Sequence, residues 1–105
     1  MTLREQVKSG NRNLNVSVTG TTPNYAEVQA FEIAKGRMFT ASDDAARRRV
    51  AVVGAEIPGM LDLDADAMLG QTLLVRAVPF EVIGVFAAKG AIGPMNPDDD
   101  VWVPL

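Results

Sequence analysis

Val50, Ala51, Val52 and Val53 follow one another without a polar residue, and Gly54 ends the run. A strand with one wet face alternates apolar and polar side chains, so a short unbroken apolar run belongs to an interior strand covered above and below. That run is a core element, and the rest of the chain must cover both of its faces. With 105 residues there is room for one domain or part of one, since single cores usually run to roughly 100 to 150 residues. Hydrophobic residues at 48% against 22% charged are enough to build that core, and they exclude a highly charged disordered tail.

Other strands are visible on either side. Leu14, Val16 and Val18 alternate with Asn13, Asn15, Ser17 and Thr19, which predicts a half-buried strand over Asn13 to Thr19. Gly20 to Asn24 break it, and Tyr25 to Val28 has the length of one helical turn. Phe31 to Lys35 reads as a short strand closed by Gly36. Thr40 and Asp43 stand at capping-box spacing, so Thr40 or Ser42 should open a brief helix running through Arg47. Ala55 to Leu61 would continue as a helix, but Pro58 and Gly59 reduce it to a turn or fragment. Thr72 to Arg76 and Phe80 to Ala87 read as a hairpin with Ala77, Val78 and Pro79 between them. Its second strand should be buried on both faces by Phe80, Val82, Phe86 and by Ile83, Val85. Lys89 to Asp100 is a loop, and Val101 to Pro104 is the last strand. The fold class is α+β: a small β-rich mixed domain with short helices and a single core over residues 13–105, preceded by an N-terminal flank at residues 1–12.

The residue inventory excludes much chemistry. Cysteine and histidine are both absent, which removes disulfides, Cys/His zinc sites, cysteine nucleophiles and Ser-His-Asp triads. A net charge of -3 lacks the attraction to phosphate backbones that nucleic-acid binders use. The basic run Arg47, Arg48, Arg49 follows Asp43 and Asp44 and reads as a locally paired, solvated face. No stretch reaches the roughly 18 apolar residues of a membrane span. Met1 to Lys8 lacks the apolar centre of a signal peptide, so a soluble chain is expected.

Asp62, Asp64 and Asp66 have the opening spacing of a calcium-binding EF-hand loop. Its sixth position is Ala67 instead of glycine and its twelfth is Leu73 instead of glutamate, so the run reads as a solvated acidic loop. Asp98, Asp99 and Asp100 form a second acidic group of the same kind, and Glu81 reads as a wet-face residue at the sheet edge. Gly90 to Gly93 matches neither a dinucleotide fingerprint nor a phosphate loop. Phe31, Phe39, Phe80, Phe86 and Trp102 fall within or beside strands and are expected to pack the core. No catalytic, cofactor-binding or metal-binding residue is expected, and the residues describe a scaffold more than a site.

Six blocks then occur in order: GTTPNY at Gly20 to Tyr25, KGRMFTASD at Lys35 to Asp43, VAVVG at Val50 to Gly54, LGQTLLV at Leu69 to Val75, PFEVIGVFAAKG at Pro79 to Gly90, and DDDVWVPL at Asp98 to Leu105. Together they resemble the MacB-like periplasmic core domain, over essentially Asn11 to Leu105. That domain lies between the first transmembrane helix and the remaining three in ABC transporter permeases of the macrolide-export and lipoprotein-release type. The resemblance implies a non-catalytic extracytoplasmic module, the distal small α/β subdomain of a longer cell-membrane protein. Its implied partners are the rest of the permease with its cytoplasmic ATPase and a periplasmic adaptor protein. It implies contact with substrate or adaptor and transmission of conformational change during export. No nucleic acid, metal or cofactor is implied, and the isolated domain is expected to be a monomer. The sequence departs from the family where Ile57, Pro58 and Gly59 interrupt the helix after VAVVG, where Asp62 to Met68 replaces a shorter loop, and where Ala77 stands in place of a frequent glycine, which predicts a different turn type. Two other readings compete: a freestanding extracellular β-rich binding module using the loops around Thr21 to Tyr25 and Ala91 to Asp98, and a small carboxylate hydrolase.

Overall fold

The VAVV run is covered on both faces, and the way it is covered defines the fold. In the computed structural model, which describes residues 2–9, 12–21, 32–46, 48–87 and 100–104, these four residues form a fully buried strand. In chain order the strands are β1 (Thr2–Ser9), β2 (Arg12–Thr21), β3 (Ile33–Gly36), β4 (Val50–Val53), β5 (Thr72–Val75), β6 (Val78–Phe86) and β7 (Val101–Pro104). Three short helices complete the described elements: α1 (Ala41–Ala45), α2 (Ile57–Met60) and α3 (Ala65–Met68).

The sheet order is β3-β6-β4-β7-β2-β1-β5, with a further β5–β6 pairing. That last pairing joins β5, at one end of the row, to β6, so β6, β4, β7, β2, β1 and β5 close into a six-stranded barrel with β3 attached outside the ring. Closure works because β6 is long enough to hold two neighbours on one edge. Val78 to Glu81 pair with β5, and Gly84 to Phe86 pair with β3. Its other edge carries β4 in parallel from Glu81 to Val85. β2 and β7 also run parallel, whereas β1–β2, β1–β5, β4–β7 and β5–β6 are antiparallel.

Alternation along each strand sorts the apolar side chains into two groups. Val7, Val16, Val53, Val75, Val82 and Val101 bring one residue from each of the six barrel strands into one cluster, which is the barrel interior. Ile57, Leu61 and Met68 from α2, its C-terminal residue and α3 fill the same cluster and cover one end of the barrel. Outside the barrel wall, Val50 and Val52 pack with Phe39, Phe86 and Trp102 in a second cluster under the β3–α1 segment. Trp102 meets Phe86 edge-on, with ring centroids 4.9 Å apart and planes at 82°.

The helices are short for local reasons. Thr40 and Asp43 form the reciprocal capping box: the Thr40 N–H donates to Asp43 Oδ2 at 2.8 Å and the Asp43 N–H donates to Thr40 Oγ1 at 3.3 Å. The helix it opens is Ala41–Ala45, ending before Arg47, which lies outside the described residues. In α2 Pro58 sits in the first turn, where its missing N–H has no helical acceptor to serve, and Gly59 and Leu61 end the helix after four residues.

Four sequence expectations change. Residues 1–12 were expected to flank the domain, but Thr2–Ser9 pairs with β2 along its whole length, from Thr2 opposite Thr19 to Ser9 opposite Arg12. The β5–β6 connection is two residues, Arg76 and Ala77, instead of Ala77 to Pro79. Val78 pairs with Val75 and Pro79 with Leu74. Pro79 is tolerated inside the strand because β4 joins β6 only from Glu81 onward, so no ladder needs its missing N–H. Glu81 is exposed, but it lies between β5 and β4 and not at an edge. The short strand expected at Phe31 to Lys35 is displaced to Ile33–Gly36. Tyr25 to Val28, Phe31 and Lys89 to Asp99 fall outside the described residues.

At the β3–β6 crossing the backbones meet too closely for side chains. A Cβ on Gly84 would lie 2.3 Å from the Arg37 carbonyl oxygen, and one on Gly36 would lie 2.1 Å from that of Ile83. Two glycines let β3 dock on β6 and carry α1 over the outer cluster.

Candidate functional site

The acidic run that resembled a calcium loop is taken apart by the fold. Asp62 adopts a left-handed φ of 56° just past α2, a helix-ending conformation, and its carboxylate pairs with Arg12 at 2.5 Å. Asp64 caps α3, its Oδ1 accepting from the Ala67 N–H at 2.7 Å. Asp66 faces Lys35 at 3.4 Å. Each of the three carboxylates thus has its own structural partner, and among the described residues no group of acidic side chains converges on a common point. Of the second acidic group only Asp100 is described, and its carbonyl accepts from the Gly54 N–H at 2.8 Å, anchoring the start of β7 beside the end of β4.

A buried carboxylate does exist, at Asp43, which is 3% exposed. Arg37 Nη1 donates to its Oδ2 at 2.7 Å and Nη2 to its Oδ1 at 3.3 Å. The Thr40 hydroxyl donates to Oδ2 at 3.2 Å, and Arg48 stands 3.9 Å from Oδ1. The Arg37 hydrogen bond, then the Thr40 backbone N–H, hold the Asp43 carboxyl well below the usual carboxylate range, outweighing the opposing effect of burial. Such a group stays ionised and fully engaged. It fastens α1 to the strand before it and to Arg48 after it, which is a structural use of the charges near the Arg47 to Arg49 run.

The aromatic residues among the described residues serve packing. Phe39, Phe86 and Trp102 are buried in the outer cluster, and Phe80 is half-buried against the barrel interior.

An open groove of about 450 Å³ does lie on the barrel wall, lined by Gln6, Lys8, Asn13, Leu74, Arg76 and Ala77. Strand register builds it. Val7 and Val75 pair with each other and point inward, so their neighbours Gln6, Lys8 and Leu74 point outward. Lys8 is opposite Leu74 on one side and Asn13 on the other, which makes a row across β5, β1 and β2. Arg76 and Ala77 form the hairpin tip above that row, both in the left-handed region at φ 51° and 64°. Two successive positive φ values in a two-residue loop are the twist that suits a tight hairpin, which glycine or asparagine usually provides. The turn thus keeps a left-handed backbone with Ala77 in place of the usual glycine or asparagine. Sequence reading missed this surface because Lys8 lay in the supposed flank, and because only the β1–β5 pairing brings it to Arg76.

The comparisons with known proteins fit this geometry. The model of the MacB-like periplasmic core domain matches residues 1–105, including β1. The macrolide export ATP-binding/permease protein MacB of Bdellovibrio bacteriovorus is 34% identical over 102 residues, covering 97% of this chain and 16% of that protein. The pyoverdine export ATP-binding/permease protein PvdT of Pseudomonas fluorescens Pf-5 is 34% identical over 99 residues, covering 93% and 15%. The chain therefore spans about a sixth of the length of these relatives. In fold it is similar to the periplasmic region of MacB from Actinobacillus actinomycetemcomitans, with a TM-score of 0.80 at 21% identity over 98% of this chain and 44% of that one. It is equally similar to the extracellular domain of the noncanonic ABC-type transporter YknZ from Gram-positive bacteria, with a TM-score of 0.79 at 20% identity over 98% and 50%. No helix among the described residues is long and apolar enough to cross a membrane. With every residue matched by its model, the chain belongs to the family of MacB-like periplasmic core domains.

Proposed function

We propose that this chain is the distal small α/β part of the extracytoplasmic domain of an ABC transporter permease, and that it works without catalysis, cofactor or metal. In that setting it contacts substrate or a periplasmic adaptor and passes conformational change between that contact and the ATPase on the other side of the membrane. The observation that carries this reading is the match of residues 1–105 to the MacB-like periplasmic core domain. The fold supports it physically: a closed barrel with a filled interior and a second packed layer deforms little and can move as one body. As an isolated chain it is a monomer.

In the parent transporter, reconstituted into membranes, the whole matched segment, residues 1–105, is replaced by a short flexible linker. Basal ATP hydrolysis should persist, because phosphate binding lies elsewhere, while transport and substrate-stimulated hydrolysis are lost, because a slack linker transmits no force. Transport at the normal rate would reject the coupling role. Loss of basal hydrolysis in a correctly assembled complex would show that the domain does more than transmit motion.

A further inference from the structure

The chain has no cysteine, so methionine supplies all of its sulfur. Three of its five methionines lie among the described residues, and the fold treats each differently. Met68, in α3, is fully buried and fills the barrel interior. Met38 is half-buried against the outer cluster of Phe39, Phe86 and Trp102. Met60, the last residue of α2, belongs to neither cluster. It is 38% exposed, the one large hydrophobic side chain left in solvent among the described residues. Its neighbours in sequence explain why. Ile57 and Leu61, four residues apart, turn into the barrel and close its end, which leaves Met60 at the rim of that buried stripe.

We propose that Met60 is a site of reversible oxidation by peroxides, and that the fold confines this chemistry to it among the described methionines. The thioether sulfur attacks one oxygen of the hydroperoxide and the O–O bond breaks. The proton of the attacked hydroxyl passes to the leaving oxygen, so the sulfur is oxidised to the sulfoxide and the peroxide is reduced to water or an alcohol. In the reverse step two thiols of a methionine sulfoxide reductase become a disulfide, and the sulfoxide oxygen leaves as water. Exposure selects the site twice over. The oxidant reaches the sulfur of Met60 without any opening of the fold, whereas Met68 is sealed inside the barrel. The product is also tolerated there, since its new polar oxygen stays in water, while at Met68 it would enter an apolar interior where an unpartnered polar group is costly. The inference rests on the burial pattern of the chain itself and not on the permease reading.

Hydrogen peroxide at millimolar concentration, with quenched time points digested and read by mass spectrometry, follows each methionine separately. In the folded 105-residue chain, Met60 should gain its oxygen at least about tenfold faster than Met38 or Met68. In denaturing urea the three rates should become equal, because the fold and not the local sequence sets the order. Once oxidised at Met60, the chain should keep its melting temperature within about 2 °C. A pair of methionine sulfoxide reductases, one for each epimer, should then remove the added oxygen in the presence of dithiothreitol. Met60→Leu should abolish the fast event and leave the rates at Met38 and Met68 unchanged. Met38 or Met68 reacting as fast as Met60 in the folded chain would overturn the proposal. So would a sulfoxide on Met60 that unfolds the domain or that the reductases cannot remove.

Discussion

Trp102→Ala tests whether β7 has a truly packed outer face. Trp102 is 1% exposed and sits with Phe39, Val50, Val52 and Phe86 in the outer cluster. A buried aromatic removes roughly 150 to 250 Å² from water, which at ~25 cal/mol per Å² is an upper bound of about 4 to 6 kcal/mol. Partial collapse of the small outer cluster lowers the net loss, and the edge-on contact with Phe86 raises it, so about 3 to 5 kcal/mol is expected. Domains of this size have only about 5 to 15 kcal/mol in total. A loss of 3 kcal/mol corresponds to a fall in melting temperature of at least about 12 °C. Urea denaturation followed by far-ultraviolet circular dichroism measures it, since the variant loses the only tryptophan. Combining it with Phe86→Ala in a double-mutant cycle should give a coupling of about 0.5 to 1.5 kcal/mol. An unchanged midpoint for Trp102→Ala would refute the second packed face, and a strictly additive cycle would remove the Trp102–Phe86 contact.

Three other expectations are independent of that one. Ala77→Gly should stabilise the chain by about 1 kcal/mol, because Ala77 holds a φ of 64° that glycine adopts freely. A lower denaturation midpoint would contradict the tight left-handed turn. Asp43→Asn should cost about 1 to 2 kcal/mol at neutral pH. The wild-type carboxyl titrates below its unfolded value of about 3.9, so its contribution is complete above that pH and is lost as pH falls below it. Melting curves from pH 6 down to pH 3 should therefore begin to narrow the gap between wild type and variant, which closes only well below pH 3 because the folded carboxyl is held far below the usual range, and a gap that stays constant over this window would show that the ionised carboxylate is not what matters. Calcium should leave the melting temperature unchanged at millimolar concentration, as Asp62, Asp64 and Asp66 are committed to Arg12, the α3 cap and Lys35. A rise that disappears with Asp64→Ala would reverse that assignment.

Elements with a strong local signal were legible from sequence. The VAVV strand, the capping box at Thr40 and Asp43, the helix cut short by Pro58 and the last strand all follow from residue chemistry over a few positions. What failed was non-local or weakly patterned. β1, TLREQVKS, has only Leu3 and Val7 as apolar residues with Glu5 between them, so its alternation is too faint to predict a strand. The sequence puts the Arg76–Ala77 turn one residue late because Pro79 reads as a boundary and neither turn residue is a usual left-handed one. The groove was invisible for a different reason: Lys8 and Arg76 come together only through the pairing of Val7 with Val75. The partners of Asp62 and Asp66 were equally hidden, Arg12 and Lys35 lying far away in the chain.

Barrel closure has a consequence for biosynthesis. The β1–β2 and β5–β6 hairpins join neighbours in the chain and can assemble as soon as they leave the ribosome. β7 cannot: it must insert between β2 and β4, which precede it by some 80 and 50 residues, and its Val101 and Trp102 face opposite packed layers. Until residues 101–104 have been synthesised, the facing edges of β2 and β4 stay open, and the valines of β4 lack part of their cover. At about 5 to 20 residues per second, the nascent chain spends seconds with two pairable edges exposed. Its risk of misassembly is thus greatest just before the final stave arrives, and a polypeptide stopped at Asp100 should be an aggregation-prone open sheet instead of a slightly shorter barrel.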